Sequence, residues 1–141
     1  MKGNLKIHLK PRERIFINGA VIRVDRKVTI ELLNDVMFLL EGHVLQEDGA
    51  TTPLRQLYFV VQSMLMEPKT LGVAMQIYQQ QHKDLVAVYK DLDVLEGLVE
   101  IRSMIDSGRP FDALKKIRAL YPFEDRILGR TEVTPLDAAV A

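Results

Sequence analysis

Three kinds of side chain in this sequence could do chemistry: histidines, paired carboxylates and a crowd of cations. The histidines are His8, His43 and His82. No two lie three or four residues apart, so no helical pair can share a metal ion. Glu47/Asp48 and Glu124/Asp125 are adjacent carboxylates. They look exposed and lack aromatic neighbours that would raise one pKa above the other, so no acid/base role is expected of them. There is no cysteine, which excludes thiol chemistry, disulfides and cysteine-ligated zinc. The glycines are isolated from one another, so no phosphate-cradling loop is present, and neither GxSxG nor HExxH occurs. The expectation is a protein that is not an enzyme and needs no metal or cofactor.

The cations are different. Residues 1–30 carry Lys2, Lys6, Lys10, Arg12, Arg14, Arg23, Arg26 and Lys27 against Glu13 and Asp25, a surplus of six. The whole chain of 141 residues is neutral, so the remainder is acidic by the same amount. Charge sorted this way points to a polyanion partner for the first segment. Lys6, Lys10, Arg12, Arg14, Arg23, Arg26 and Lys27 are the candidate phosphate contacts, with Phe16 or an arginine plane as the candidate stacking surface. A plain solvated sheet face is the competing reading. From composition alone, nucleic-acid binding and protein-only binding stand level.

The elements that must position these residues follow from hydrophobic period. Residues 4–9 alternate, with Leu5, Ile7 and Leu9 against Lys6, His8 and Lys10, which is a half-buried strand. Pro11 ends it. Residues 14–17 and 20–24 flank Asn18-Gly19, the pair that suits a type I′ hairpin turn. Residues 28–33 and 36–40 are two further strands, and residues 43–45 are a candidate extension of the sheet. Five short strands with tight turns describe an antiparallel meander or a small barrel-like sheet.

From about residue 52 the period becomes helical. Thr52-Pro53 is a cap followed by proline at the first helical position. Leu54, Leu57, Tyr58, Val61, Met64 and Leu65 form its apolar stripe, and Pro68 breaks it. Leu71, Met75, Tyr78, His82, Leu85, Tyr89 and Leu92 then recur at alternating steps of four and three, a heptad seam. That seam packs against either a neighbouring helix or a second copy of the chain; the spacing does not choose. His82 within it is either a register-setting polar group or, more simply, a hydrogen-bonded core histidine. Asp93 to Glu96 has the form of a capping box for a third helix, stopped at Ser107-Gly108. A last helix starts at Pro110, carries Phe111, Leu114, Ile117, Leu120 and Tyr121, and is expected to end before Pro122. The fold class is therefore α+β: a basic β subdomain over 1–45, four helices over 52–128, and a flexible tail over 129–141, in one unit. No run is long and apolar enough to span a membrane, and no secretory signal is present, so the expected compartment is the cytoplasm.

The strings INGAVIRVDRK, TTPLRQLYF and IRALYPFEDRIL are long and specific. With the stretch over 1–45 they resemble the FlbT family, the flagellum biosynthesis repressors of flagellated bacteria, over nearly the whole chain. The resemblance implies a post-transcriptional regulator that associates with the 5′ untranslated region of flagellin mRNA and promotes its degradation. In some relatives the sign of regulation looks positive. The alternative is a protein-interaction adaptor in flagellar assembly control, whose helical segment docks a flagellar regulatory protein and touches RNA only indirectly. The first third is distantly similar to CsrA-type translational regulators, through short strands around a glycine turn. The FlbT resemblance supplies no contact residues; those above come from charge and spacing.

Overall fold

Asn18 and Gly19 have φ of +50° and +88° in the computed structural model, both positive as a type I′ turn requires. The structure describes residues 5–34 and 36–129. Lys2 and the expected tail from residue 130 onward lie outside them. The strands are β1 (Leu5–Leu9), β2 (Arg14–Ile17), β3 (Ala20–Arg23), β4 (Val28–Leu32) and β5 (Phe38–Leu40). β1 pairs with β4, from Leu5 opposite Leu32 to Leu9 opposite Val28. β2 pairs with β3, from Arg14 opposite Arg23 to Ile17 opposite Ala20. Both ladders keep one register about the Asn18-Gly19 turn. Residues 5–32 are thus a single long antiparallel hairpin, interrupted once.

The interruption has a covalent cause. Pro11 has no N–H to give to a ladder. Arg12 takes φ +67°, a left-handed conformation uncommon outside glycine. Glu13 N–H donates to Lys10 O (3.0 Å), closing a tight turn. Its carboxylate accepts from Lys10 N–H at 2.8 Å. Arg12 N–H donates to Val24 O (2.8 Å), and Val24 N–H to Glu13 O (3.2 Å), so the two arms stay joined through the bend. The ladder breaks into two sheets, β1–β4 and β3–β2–β5. Their facing sides bury Ile7, Leu9, Ile15 and Phe38 in a small core of their own.

β2 is therefore the middle of the molecule. Ile15 points to that small core, and its neighbour Phe16 points to the helical core with Leu39. This is why its sequence, Arg-Ile-Phe-Ile, does not alternate: both faces are covered.

The helices are α1 (Pro53–Met66), α2 (Leu71–Val88), α3 (Leu92–Asp106) and α4 (Pro110–Ile127), giving the expected α+β class. α1 begins as its sequence demands, with Thr52 Oγ1 accepting from Arg55 N–H at 3.2 Å. All six residues of its stripe are buried, along with Val60 and Gln62. Gln62 clips the preceding link in place: its Oε1 accepts from Leu45 N–H (2.6 Å) and its Nε2 donates to Leu45 O (2.9 Å). Residues 43–45 accordingly lie in a link rather than extending the sheet. Gly108 stops α3 at φ +72°, the left-handed position expected of it.

Two boundaries differ from expectation. The third helix is capped by Asp91, whose carboxylate accepts from Val94 N–H at 3.1 Å, not by Asp93. Asp91 is extended and one residue short of helix, as a cap must be, whereas Asp93 already lies in the first turn. The last helix also runs through Pro122 to Ile127. Proline removes one hydrogen bond, but the turn beyond it is anchored from outside. Glu124, read from sequence as exposed, has no solvent exposure at all. It accepts from Leu54 N–H (2.9 Å) at the positive end of α1 and from Tyr89 Oη (2.7 Å). Arg55 reaches Asp125 (3.1 Å) and lies 4.1 Å from the Tyr121 ring centroid. The aromatic neighbours are there, Tyr121 one turn back on α4 and Tyr89 brought from the end of α2.

Replacing Glu124 by alanine strands the Leu54 N–H and the Tyr89 hydroxyl. Urea unfolding of Glu124→Ala should show a loss of about 3 to 5 kcal/mol, the usual cost of breaking a buried charged cluster. Glu124→Gln keeps an acceptor and should lose about 1 to 2 kcal/mol. Equal losses in the two variants would mean that the carboxylate's bonds are not what holds α4 to α1.

A second pair of variants tests the α3–α4 contact. A Cβ at Gly97 would stand 2.6 Å from Leu120 Cδ1, and Leu120 is itself buried. Gly97→Ala should lower stability by about 1 to 2 kcal/mol despite its better helix propensity. Gly72 in α2 has nothing within 4 Å, so Gly72→Ala should raise stability by about 0.5 kcal/mol.

Candidate nucleic-acid interface

The bend in the long hairpin gathers the cations. Lys10 and Arg12 sit on one arm, and Arg26 and Lys27 on the other, where the arms are held together by the Arg12–Val24 and Val24–Glu13 bonds. Arg14 and Arg23 are the first facing pair beyond the bend. All six are exposed. Lys6 stands apart, further up β1 and opposite Glu31 in register.

What these charges already hold decides what is left for a ligand. Glu13, one of the two nearby acids, spends a carboxylate oxygen on the Lys10 backbone. Asp25 meets Arg26 at 3.4 Å with both side chains about four-fifths exposed, a contact worth little in water. Arg14 meets Glu41: its N–H donates to Oε1 at 2.7 Å, and its guanidinium lies 3.5 Å from Oε2. That backbone bond, more than the guanidinium, lowers the Glu41 pKa, with Arg23 adding a smaller pull in the same direction. Among the described residues, the side chains of Lys10, Arg12, Arg23 and Lys27 form no ion pair. They are free to meet phosphate.

Phe16 cannot serve as the stacking ring expected of it. It is 7% exposed, packed with Leu39 against the helices. Period-two reasoning could not see this, because β2 is covered on both sides. Stacking then falls to an arginine plane or to a ring from another element.

Sequence reasoning missed two further cations. Arg118 Nη1 donates to Tyr58 Oη (2.7 Å), and Tyr58 Oη donates to His43 O (2.6 Å). Lys115, one turn before Arg118 on α4, has its Nζ 4.8 Å from the Phe111 ring centroid. Burial, then Arg118 and Lys115, lower the pKa of His43. These cations belong to a different element and a chain segment with acidic bias. No local signal ties them to the hairpin.

The heptad positions divide. Tyr78, His82, Leu85 and Tyr89 are buried within the chain, Met75 is partly buried, and Leu71 and Leu92 at the ends are exposed. The seam is not one helix, since α2 stops at Val88 and Tyr89 is extended. His82 Nε2 donates to Leu98 O at 2.8 Å, tying α2 to α3, which is the simpler of the two roles open to it. Among the described residues no group of three or more histidine, aspartate or glutamate side chains could hold a metal ion. No described helix is long and apolar enough to cross a membrane.

Comparison with known proteins supplies the context for this surface. The family described as Flagellar protein FlbT matches residues 5–128. A protein of Bradyrhizobium diazoefficiens named probable flagellum biosynthesis repressor protein FlbT 2 is 54% identical over 136 residues, covering 96% of this chain and all of that one. The correspondingly named proteins of Allorhizobium ampelinum and Mesorhizobium japonicum are 53% and 52% identical over 135 residues, covering 96% of this chain and 91% and 92% of theirs. No solved structure gives a significant match.

The electrostatics of the site are open to direct measurement. With its pKa held below the ordinary 6.5, His43 is neutral in the folded chain while the unfolded chain takes up its proton first. This side chain therefore adds nothing above about pH 6.5 and subtracts stability as pH falls below it. An NMR titration should place the His43 midpoint below 6.5 and move it upward in Lys115→Ala. A midpoint unmoved by that change would separate Lys115 from this turn.

Proposed function

The chain belongs to the FlbT family, and from that premise we propose that it is a repressor of flagellum biosynthesis that acts on RNA. It binds the 5′ untranslated region of flagellin mRNA and promotes degradation of that transcript. It does so in the cytoplasm, by binding rather than by catalysis, with cleavage left to a nuclease. The relatives' names support the repressor role. The observation that carries the RNA reading is the set of exposed, unpaired cations at the bend of the hairpin. Phosphate neutralisation by such side chains gives affinity without demanding a deep pocket.

A protein-binding adaptor is the second reading, and a different face of the molecule favours it. Leu71, Val73 and Ile77 are exposed on α2, and Leu92 and Val99 on α3. On this reading the outer helical face meets a flagellar regulatory protein or a second copy of the chain, and any effect on RNA is indirect.

A gel shift of the pure protein with the flagellin leader separates the two. Binding by the protein alone is expected. Arg12→Ala combined with Arg14→Ala should weaken it and make the dependence of log affinity on log salt shallower by about 1.4, at roughly 0.7 per lost contact on a single strand. A leader that shifts only when a second protein is added supports the adaptor instead.

A further inference from the structure

We infer that the RNA path does not end on the hairpin: it continues over the Glu41–His43 turn onto Lys115 and Arg118 of α4. The inference rests on the RNA reading above and adds a second half to the same site. The ligand is a single-stranded phosphodiester held between the bent hairpin and the last helix.

The continuity is drawn by hydrogen bonds. Arg14 N–H donates to the Glu41 carboxylate at 2.7 Å. Glu41, Gly42 and His43 form one 3-10 turn. His43 O accepts from Tyr58, whose hydroxyl oxygen accepts from Arg118 (2.6 and 2.7 Å). Three consecutive residues therefore separate the Arg14–Arg23 pair from the α4 cations. The turn is held from beneath by α1, through Tyr58 here and through Gln62 at Leu45. The spacing between the two groups of cations is thus set by the core.

The one acid on the path is already engaged. Glu41 uses Oε1 on a backbone N–H, a bond that a ligand has no reason to break. Its other oxygen touches the Arg14 guanidinium only at 3.5 Å, so the guanidinium can turn to an incoming phosphate. Two acids of α3 and α4 are occupied as well. Asp112 pairs with Arg109 at 2.9 Å, and Glu100 with Lys116 at 3.1 Å. Lys115 is exposed and makes no ion pair among the described residues. Arg118 donates to a neutral hydroxyl rather than to a carboxylate, so it keeps its full charge for the ligand.

Length separates one half-site from two. A strand of about 4 nucleotides fits one cationic group, and one of about 12 spans a longer groove. Fluorescence anisotropy with the full chain should show that Lys115→Ala with Arg118→Gln weakens the long strand several-fold. The same variant should make its log-log salt slope shallower by about 1.4, while the short strand is unaffected. Lys115→Ala alone, which loses only a surface contact with Phe111, should give about half that slope change. A thermal melt of each variant checks that the fold is intact. If the long strand keeps its affinity and slope in both α4 variants, while Arg12→Ala with Lys27→Ala loses binding, the extension is wrong and the hairpin reading stands. If the hairpin variant also binds normally, both fall.

Discussion

Everything in this structure hangs on the bend at residues 10–13 and 24–27. A hairpin of this length, left straight, is a two-stranded ribbon with one apolar face and nothing to cover it. Pro11 and the left-handed Arg12 break the ladder, while two backbone bonds keep the arms in register. The two halves then fold face to face. Ile7 and Leu9 of one half meet Ile15 of the other, and β5 closes the group with Phe38. Phe38 in turn stacks on Phe111 of α4, with ring centroids 4.7 Å apart. One backbone irregularity thus creates the small core, exposes a second face of β2 to the helices, and throws the cations to a single end.

The helical layer answers a different constraint, the disposal of polar groups at helix ends. α1 is covered nearly all round, so its first N–H groups cannot reach water. Thr52 takes one and Glu124, from seventy residues away, takes another. That carboxylate also receives the Tyr89 hydroxyl, so the segment between α2 and α3 is tied to the same point. α1, α4 and the α2–α3 junction meet at one fully buried acid. The same helix then fixes the link from the sheet through Tyr58 and Gln62. The position of Glu41 and His43 beside Arg14 is a consequence of how α1 is capped and packed.

Much of this was legible in the residues. The Asn18-Gly19 turn, the Thr52-Pro53 start, the Gly108 stop and the number and kind of elements follow from local rules that tertiary structure did not override. What failed was non-local. Pro122 signals a helix end, but the hydrogen bonds that Glu124 accepts from Leu54 and Tyr89 hold the turn beyond it in place. The Glu124/Asp125 pair looked bare because its aromatic neighbours include Tyr89 from another segment. Phe16 looked available because alternation cannot report a strand buried on both sides. The heptad spacing was real at Tyr78, His82 and Leu85, yet α2 ends at Val88, so a regular spacing was shared between a helix and an extended linker. Lys115 and Arg118 were invisible for the same reason: only the folded link brings α4 to the hairpin.

The sorting of charge along the chain now has a structural counterpart. In the helices, acids and bases answer each other: Arg102 with Asp106, Arg109 with Asp112, Lys116 with Glu100, Arg55 with Asp125. The first lies within α3, the second joins the residue before α4 to its first turn, and the others link neighbouring helices. At the hairpin bend the local acids are consumed differently. Glu13 and Glu41 each accept a backbone N–H on one carboxylate oxygen, shaping the chain, and among the described residues only Glu41 of the two also reaches a cation, the Arg14 guanidinium at 3.5 Å. An acid used this way still contributes its charge to the field, but it cannot follow a lysine or arginine that swings away. The bend therefore keeps cations that are fixed at the backbone and free at the tip. For a polyanion ligand that is a useful combination, because the positions of the charges are set before binding and the heads of Lys10, Arg12, Arg23 and Lys27 break no ion pair among the described residues on meeting phosphate.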